Sequence, residues 1–207
     1  MIKKPSNYDN VEVTEFDFTP IELGGHKGII KNVEEYTNPI SGNTSLKVSV
    51  DTAKDDEQPE YFSEQYRNDT RADKKWSNSA IKYVSLKDDE NCVRMLKAFI
   101  TSIENSNNGF TYDWNKEVDQ LKGKKVGLVF GLEEYTNNDG ETKTIVKLTQ
   151  FRSIDKIDNV KIPRVKLLDG SFMEYEDYKN KKETSKTDKL KEMFGDIVEI
   201  KDNDLPF

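Results

Sequence analysis

Between Tyr61 and Tyr83, five aromatic residues (Tyr61, Phe62, Tyr66, Trp76 and Tyr83) are interleaved with five cations, Arg67, Arg71, Lys74, Lys75 and Lys82. Flat rings offer faces on which bases stack, and ammonium and guanidinium groups meet phosphates. Such an inventory suits a flexible nucleic-acid strand without imposing a base code. Stacking is worth about 1–3 kcal/mol per base, so two or three platforms would supply most of a micromolar affinity. Tyr36 and Tyr135 occupy matching sequence contexts, with Lys31, Lys47, Lys125, Lys143, Lys147 and Arg152 close to them in the chain. Some rings must instead fill a core, Phe62 and Phe130 above all. Trp76 lies among polar and charged residues, which favours a ligand-facing role, whereas Trp114, close to Phe110 and Tyr112, reads as packing.

Catalytic constellations are sparse. His26 is the only imidazole and follows Gly24-Gly25, where a turn or barrel-edge role is the plainer reading. Cys92 has no partner for an internal disulfide, and neither residue has companions for a zinc site. No phosphate-cradling glycine loop, HExxH or CxxC occurs. The acidic pairs Glu34-Glu35, Glu133-Glu134 and Asp55-Asp56 have the residue types of a metal nuclease. Adjacent carboxylates on a strand point to opposite faces, however, so neither Glu pair makes a clamp alone. The expectation is a binding protein, not an enzyme, with no catalytic residues, no cofactor and no metal.

The chain has 207 residues and a net charge of −7, which at first argues against a phosphate-rich partner. The distribution says otherwise. From Glu192 onward there are five acids and one base, whereas Tyr61 to Lys87 has six bases against three acids and Gln120 to Arg152 six against four. Apolar and charged residues each make up 34%, lean for a compact globule, so part of the chain is expected to stay solvated. Apolar runs are strand-sized and the N-terminal stretch is polar, which points to a soluble, cytoplasmic protein with no membrane partner.

These side chains must be positioned by β-hairpins. Gly28-Ile29-Ile30-Lys31-Asn32-Val33-Glu34-Glu35-Tyr36-Thr37-Asn38 is echoed by Gly127-Leu128-Val129-Phe130-Gly131-Leu132-Glu133-Glu134-Tyr135-Thr136-Asn137. Each copy runs through a Gly-containing turn into a second β-rich run, Thr44 to Val50 and Thr142 to Phe151. Glu60 to Arg67 reads as a third strand or strand-like loop. A helix follows, with Ser85 and Asp88 as candidate N-caps, and Cys92 or Val93, Leu96, Phe99 or Ile100, and Ile103 as an inward stripe that Asn107-Asn108-Gly109 ends. Strand, strand, strand, helix, strand, strand is the order of the OB-fold, a five-stranded barrel with a helix between strands 3 and 4. The expected domains are an extension over 1–20, a mainly β OB domain over 21–176, and a flexible acidic tail over 177–207 in which Leu190 to Ile200 form a short docking helix.

The last residues, Asp202-Asn203-Asp204-Leu205-Pro206-Phe207, resemble the acidic tip of bacterial and bacteriophage single-stranded DNA-binding proteins. The likeness covers six residues by motif, with the OB-like order of about Gly24 to Arg152 beside it. It implies an OB domain that coats single-stranded DNA during replication, recombination or repair, and a tip that recruits partner proteins through Asp202, Asp204, Leu205, Pro206 and Phe207. The tip's chemistry fits that role. Phe207 offers a ring and carboxylate to a basic-rimmed pocket, Pro206 stiffens the approach, and the acids steer or compete for the strand groove. The chain departs from the cellular form in lacking a long Gly/Gln/Pro linker and in adding Ser153 to Tyr178 after the fifth strand. That points to a bacteriophage or mobile-element type and leaves open whether the family's tetramer, or any homo-oligomer, forms. An RNA-binding OB protein and an adaptor without DNA affinity are the rival expectations.

Overall fold

A computed structural model describes residues 3–4, 6, 10 and 19–194, the side chains of 185–194 excepted. The tip Asp202 to Phe207 and most of the 1–20 extension lie outside the described residues. Among those described, the chain is mainly β, a mixed sheet of seven strands with three helices.

The echoed segments are the first strands of two antiparallel hairpins: β1 (Gly24–Thr37) with β2 (Thr44–Thr52), and β4 (Lys125–Thr136) with β5 (Thr142–Arg152). The echo extends into the turns. Asn38 Oδ1 accepts the N–H groups of Ile40 and Ser41, and Asn137 Oδ1 those of Asp139 and Glu141. Each side chain thereby folds its own turn, and Gly42 and Gly140 take the positive φ (68° and 79°) that the reversals need.

Each hairpin carries one bulge. Lys31 is the extra residue in β1, so Ile30 and Val33, three apart, both face the core. Thr149 is the extra residue in β5, so Leu148 and Phe151 do the same, and its hydroxyl donates to the Val129 carbonyl.

Strands run in the order β3-β2-β1-β4-β5 with antiparallel neighbours, where β3 is Ile81–Ser85. β3 and β5 approach without sharing a ladder, so the sheet is not a closed barrel. β1 leaves β4 at the Gly24 and Phe130 pair, which would bare the rest of that β4 edge. There β6 (Val165–Lys166) pairs parallel to β4 at Glu133, and β7 (Phe172–Met173) pairs with β6. The segment after β5 therefore belongs to the sheet. It crosses the outside of β4 at Gly131, where a Cβ would stand 3.1 Å from Pro163.

Three expectations are corrected. Glu60 to Arg67 is not a strand but part of helix α1 (Tyr61–Asn68). The cause is Asp51 at the end of β2, whose carboxylate accepts the N–H groups of Phe62 and Ser63 and the Ser63 hydroxyl. These are free donors of a helix's first turn, capped here from ten residues before the helix's first residue. The third strand comes later, as β3, so the order is strand, strand, helix, strand, helix, strand, strand. Helix α2 (Glu90–Ser106) is capped by Asp89, not Ser85 or Asp88, with its side chain accepting the Cys92 N–H. Leu96, Phe99, Ile100 and Ile103 form its inward stripe; Val93 is exposed and Cys92 only partly covered. Finally, the expected linker from Asp177 is helical, within α3 (Tyr175–Phe194). Tyr178 is buried and donates to Glu134, which anchors that helix to β4.

Between the sheet and α2, Phe62, Phe99 and Phe130 are almost fully buried, each burial contributing roughly 1.5–3 kcal/mol. Phe62 lies against Phe130, and Phe99 against Phe151 (4.6 Å between ring centroids).

Candidate nucleic-acid interface

On the outer face of β1–β2–β3, strand register sets Glu34 opposite Lys47 and Lys47 opposite Tyr83. Tyr36 and Tyr83 meet with ring centroids 5.4 Å apart, and Tyr83 stays 49% exposed. Glu34 accepts from the Lys47 ammonium at 2.7 Å, a bond that raises the lysine's pKa against the opposing effect of desolvation.

A second aromatic cluster is carried by α1 and the loop after it. Tyr66 and Trp76 have centroids 5.8 Å apart, and the Lys74 ammonium stands 5.6 Å from the Tyr66 ring. The Trp76 indole N–H donates to the Val50 carbonyl, which fixes the ring against β2 and leaves it partly covered. Trp76 is thus both a core neighbour and a candidate platform. Beside it, Asp69 and Arg71 form a hydrogen-bonded fork that holds the Asp69 carboxyl down at about 2. Lys75 lines the same shallow cleft with Tyr66 and Arg71.

The remaining expected site residues scatter. Tyr61 packs on the core, edge-on to Phe62. Tyr135 sits opposite Lys143 near the second hairpin tip. Lys125 stands apart, its N–H bonded to Asn107 at the end of α2. Most of the cations are paired: Lys31 with Asp51, Arg67 with Glu64, Lys143 with Glu141 and Lys147 with Glu133. Trp114, expected to pack, is 70% exposed and meets the Tyr112 ring edge-on. Its chain neighbours Tyr112 and Phe110 do the packing instead.

Reasoning on the sequence missed a groove of ≈ 360 Å³ on the outside of β4 and β5, bounded by Pro163, Arg164, Lys166 and Phe172. Lys82 and Lys147 line its other side. Glu133 is held between Lys147 (3.5 Å) and Lys166 (2.8 Å). Burial works against the charged Glu133 carboxylate, but the two lysines outweigh it and lower its pKa. Burial lowers the pKa of Lys82. The exposed Phe172 beside Arg164 was the available signal, but Val165–Lys166 reach the groove through a nonlocal parallel pairing that no periodicity announces.

The acidic pairs diverge as strand geometry demands: Glu133 turns to the groove lysines and Glu134 to Tyr178. His26 is buried on β1, 4% exposed, with Nδ1 2.9 Å from Asp56 and Nε2 3.2 Å from the Glu22 carbonyl. With acceptors at both nitrogens, the imidazolium is well matched. Burial opposes that charge, but Asp56 overcomes it and raises the pKa, while Asp56 itself is lowered against desolvation by His26 and by the Gln58 and Lys27 N–H groups. Among the described residues no helix is long and apolar enough to cross a membrane. No protein-family model matches the chain, and no curated protein matches it.

Proposed function

We propose that this chain binds single-stranded DNA with little sequence preference, as a partly open OB-type domain, and coats exposed strands in replication, recombination or repair. The observation that carries the reading is the pair of aromatic clusters, Tyr36 with Tyr83 and Tyr66 with Trp76, set beside Lys47 and Lys74. Rings in this arrangement accept bases that a duplex keeps stacked inside, which favours a single strand over double-stranded DNA. The strand order β3-β2-β1-β4-β5, the gap between β3 and β5, and helix α2 between β3 and β4 support the OB assignment. On the same reading, Asp202 to Phe207 recruit other DNA-processing proteins, and deleting them removes that recruitment while DNA affinity stays equal or rises.

The test is a fluorescence titration in a Trp114→Phe background, so that Trp76 alone reports. Oligo-dT is expected to quench it, with log affinity falling against log salt at about −0.7 per phosphate contact. Matched RNA and duplex arms are included. Equal affinity for duplex, or none for single strands, sinks the proposal, and preference for RNA redirects it to an RNA-binding OB domain.

A further inference from the structure

The groove between β5 and the β6–β7 segment has a composition unlike the rest of this acidic chain. Four basic side chains, Lys82, Lys147, Arg164 and Lys166, line it against one acid, Glu133. That acid already bridges two of the four, and among the described residues neither Lys82 nor Arg164 has a carboxylate within ion-pair distance. Phe172 lies at the edge, 56% exposed, with the Arg164 guanidinium 5.4 Å from its ring centroid. The exposed ring can stack a base, and the guanidinium and the lysines around it can neutralise the phosphates on either side of that base.

The groove also adjoins the aromatic face. On β3, Tyr83 points to the face that holds Tyr36, while the next residue back, Lys82, points to the other side and lines the groove. Among the described residues β3 pairs only with β2, and at its second edge β5 approaches without sharing a ladder, so that edge's backbone groups are unpaired by any strand. A strand lying across that edge meets Tyr83 on one side and Lys82 on the other.

We infer that the bound single strand continues from the Tyr36 and Tyr83 face across the unpaired edge of β3 into this groove, where Phe172 takes a base and Arg164, Lys82, Lys147 and Lys166 take phosphates. The inference rests on the single-stranded binding proposed above and extends it to a second subsite built by residues after β5. A duplex does not fit the role, because it cannot present a base face to Phe172.

The experiment compares oligo-dT of about six and about fifteen nucleotides, within the span of about 4–16 nucleotides that single domains of this kind cover. It uses the full chain and the double variant Arg164→Gln/Phe172→Ala. Both side chains are exposed, so the melting temperature serves as the check on folding. In the wild type the longer oligomer binds more tightly. In the variant that gain is expected to shrink about tenfold, as the loss of one stacking platform predicts, and the salt slope for the longer oligomer to become shallower by about 0.7. Arg164→Lys alone should restore the slope without the full gain. If the variant keeps the wild-type gain and slope, the second subsite is refuted while single-stranded binding stands. If the wild type binds neither oligomer, both fall together.

Discussion

The outer face of β1–β3 and the groove beside β6–β7 hold the same two ingredients in opposite proportions. Counted together with the cluster on α1 and the loop after it, the first has four half-covered or exposed rings, but its cations are largely committed to carboxylates, Lys47 to Glu34 and Arg71 to Asp69 among them. The second has one exposed ring and four bases around one shared acid. Exposed ion pairs are worth only about 0–1 kcal/mol, so a phosphate can displace the carboxylate, but little net charge is gained by doing so. The difference teaches that counting rings and cations along a sequence does not reveal which cations are available. On this account the aromatic face supplies stacking and is insensitive to salt, and the groove supplies most of the salt dependence.

The sharpest way to break the contrast is to remove stacking alone. Tyr36→Ala/Tyr83→Ala should cost about 2–6 kcal/mol of affinity for oligo-dT if each ring serves one base, with the salt slope unchanged. A slope that falls in parallel would show that the face contributes charge as well. Next comes Asp51→Ala, which leaves the first N–H groups of α1 without their acceptor. We expect about 1–3 kcal/mol lower stability in urea unfolding and weakened quenching at Trp76, with the groove's salt slope retained.

His26 and Asp56 belong to neither region, and their buried pair serves the stability of the domain as a whole. His26 holds its proton more tightly when folded, so its contribution is complete below about pH 6.5 and is lost as pH rises through its raised folded value. Asp56 gives up its proton more easily when folded, so its contribution is complete above about pH 3.8 and is lost as pH falls through its depressed value. Thermal melting should therefore be highest between these limits. His26→Gln should flatten the alkaline limb at a cost on the order of 1 kcal/mol for the buried hydrogen bond. The smallest effect is at Glu133. Its replacement by Gln frees Lys147 and Lys166 and should tighten binding of a long oligomer at low salt by at most about fivefold, leaving a short one unaffected.

The hairpins were legible because they are local. Alternation, turn residues and the repeated Glu-Glu-Tyr-Thr-Asn placed both, and the inward stripe of α2 followed from helical spacing. What escaped was nonlocal. Tyr61, Phe62 and Tyr66 suit a strand until Asp51 supplies a helix cap from the neighbouring β2. Trp114 sits among aromatics in sequence, yet only Phe110 and Tyr112 turn inward. The charged composition after Asp177 resembles a linker, and Tyr178, buried and bonded to Glu134, ties the start of α3 to the sheet. At the candidate site, the rings of the two clusters could be named from the sequence, but ion pairing is set by cross-strand register, and the groove by a parallel pairing across thirty-three residues, Glu133 to Lys166.

The most direct measurement of the central claim is the affinity of the full chain for a labelled dT oligomer, a duplex of the same length and the matched RNA, by fluorescence anisotropy at two salt concentrations. The dT strand is expected to bind far more tightly than the duplex at both salts, and the gap to survive at the higher salt because stacking carries it. Equal binding to duplex, or a preference for the single strand that vanishes with added salt, would contradict it.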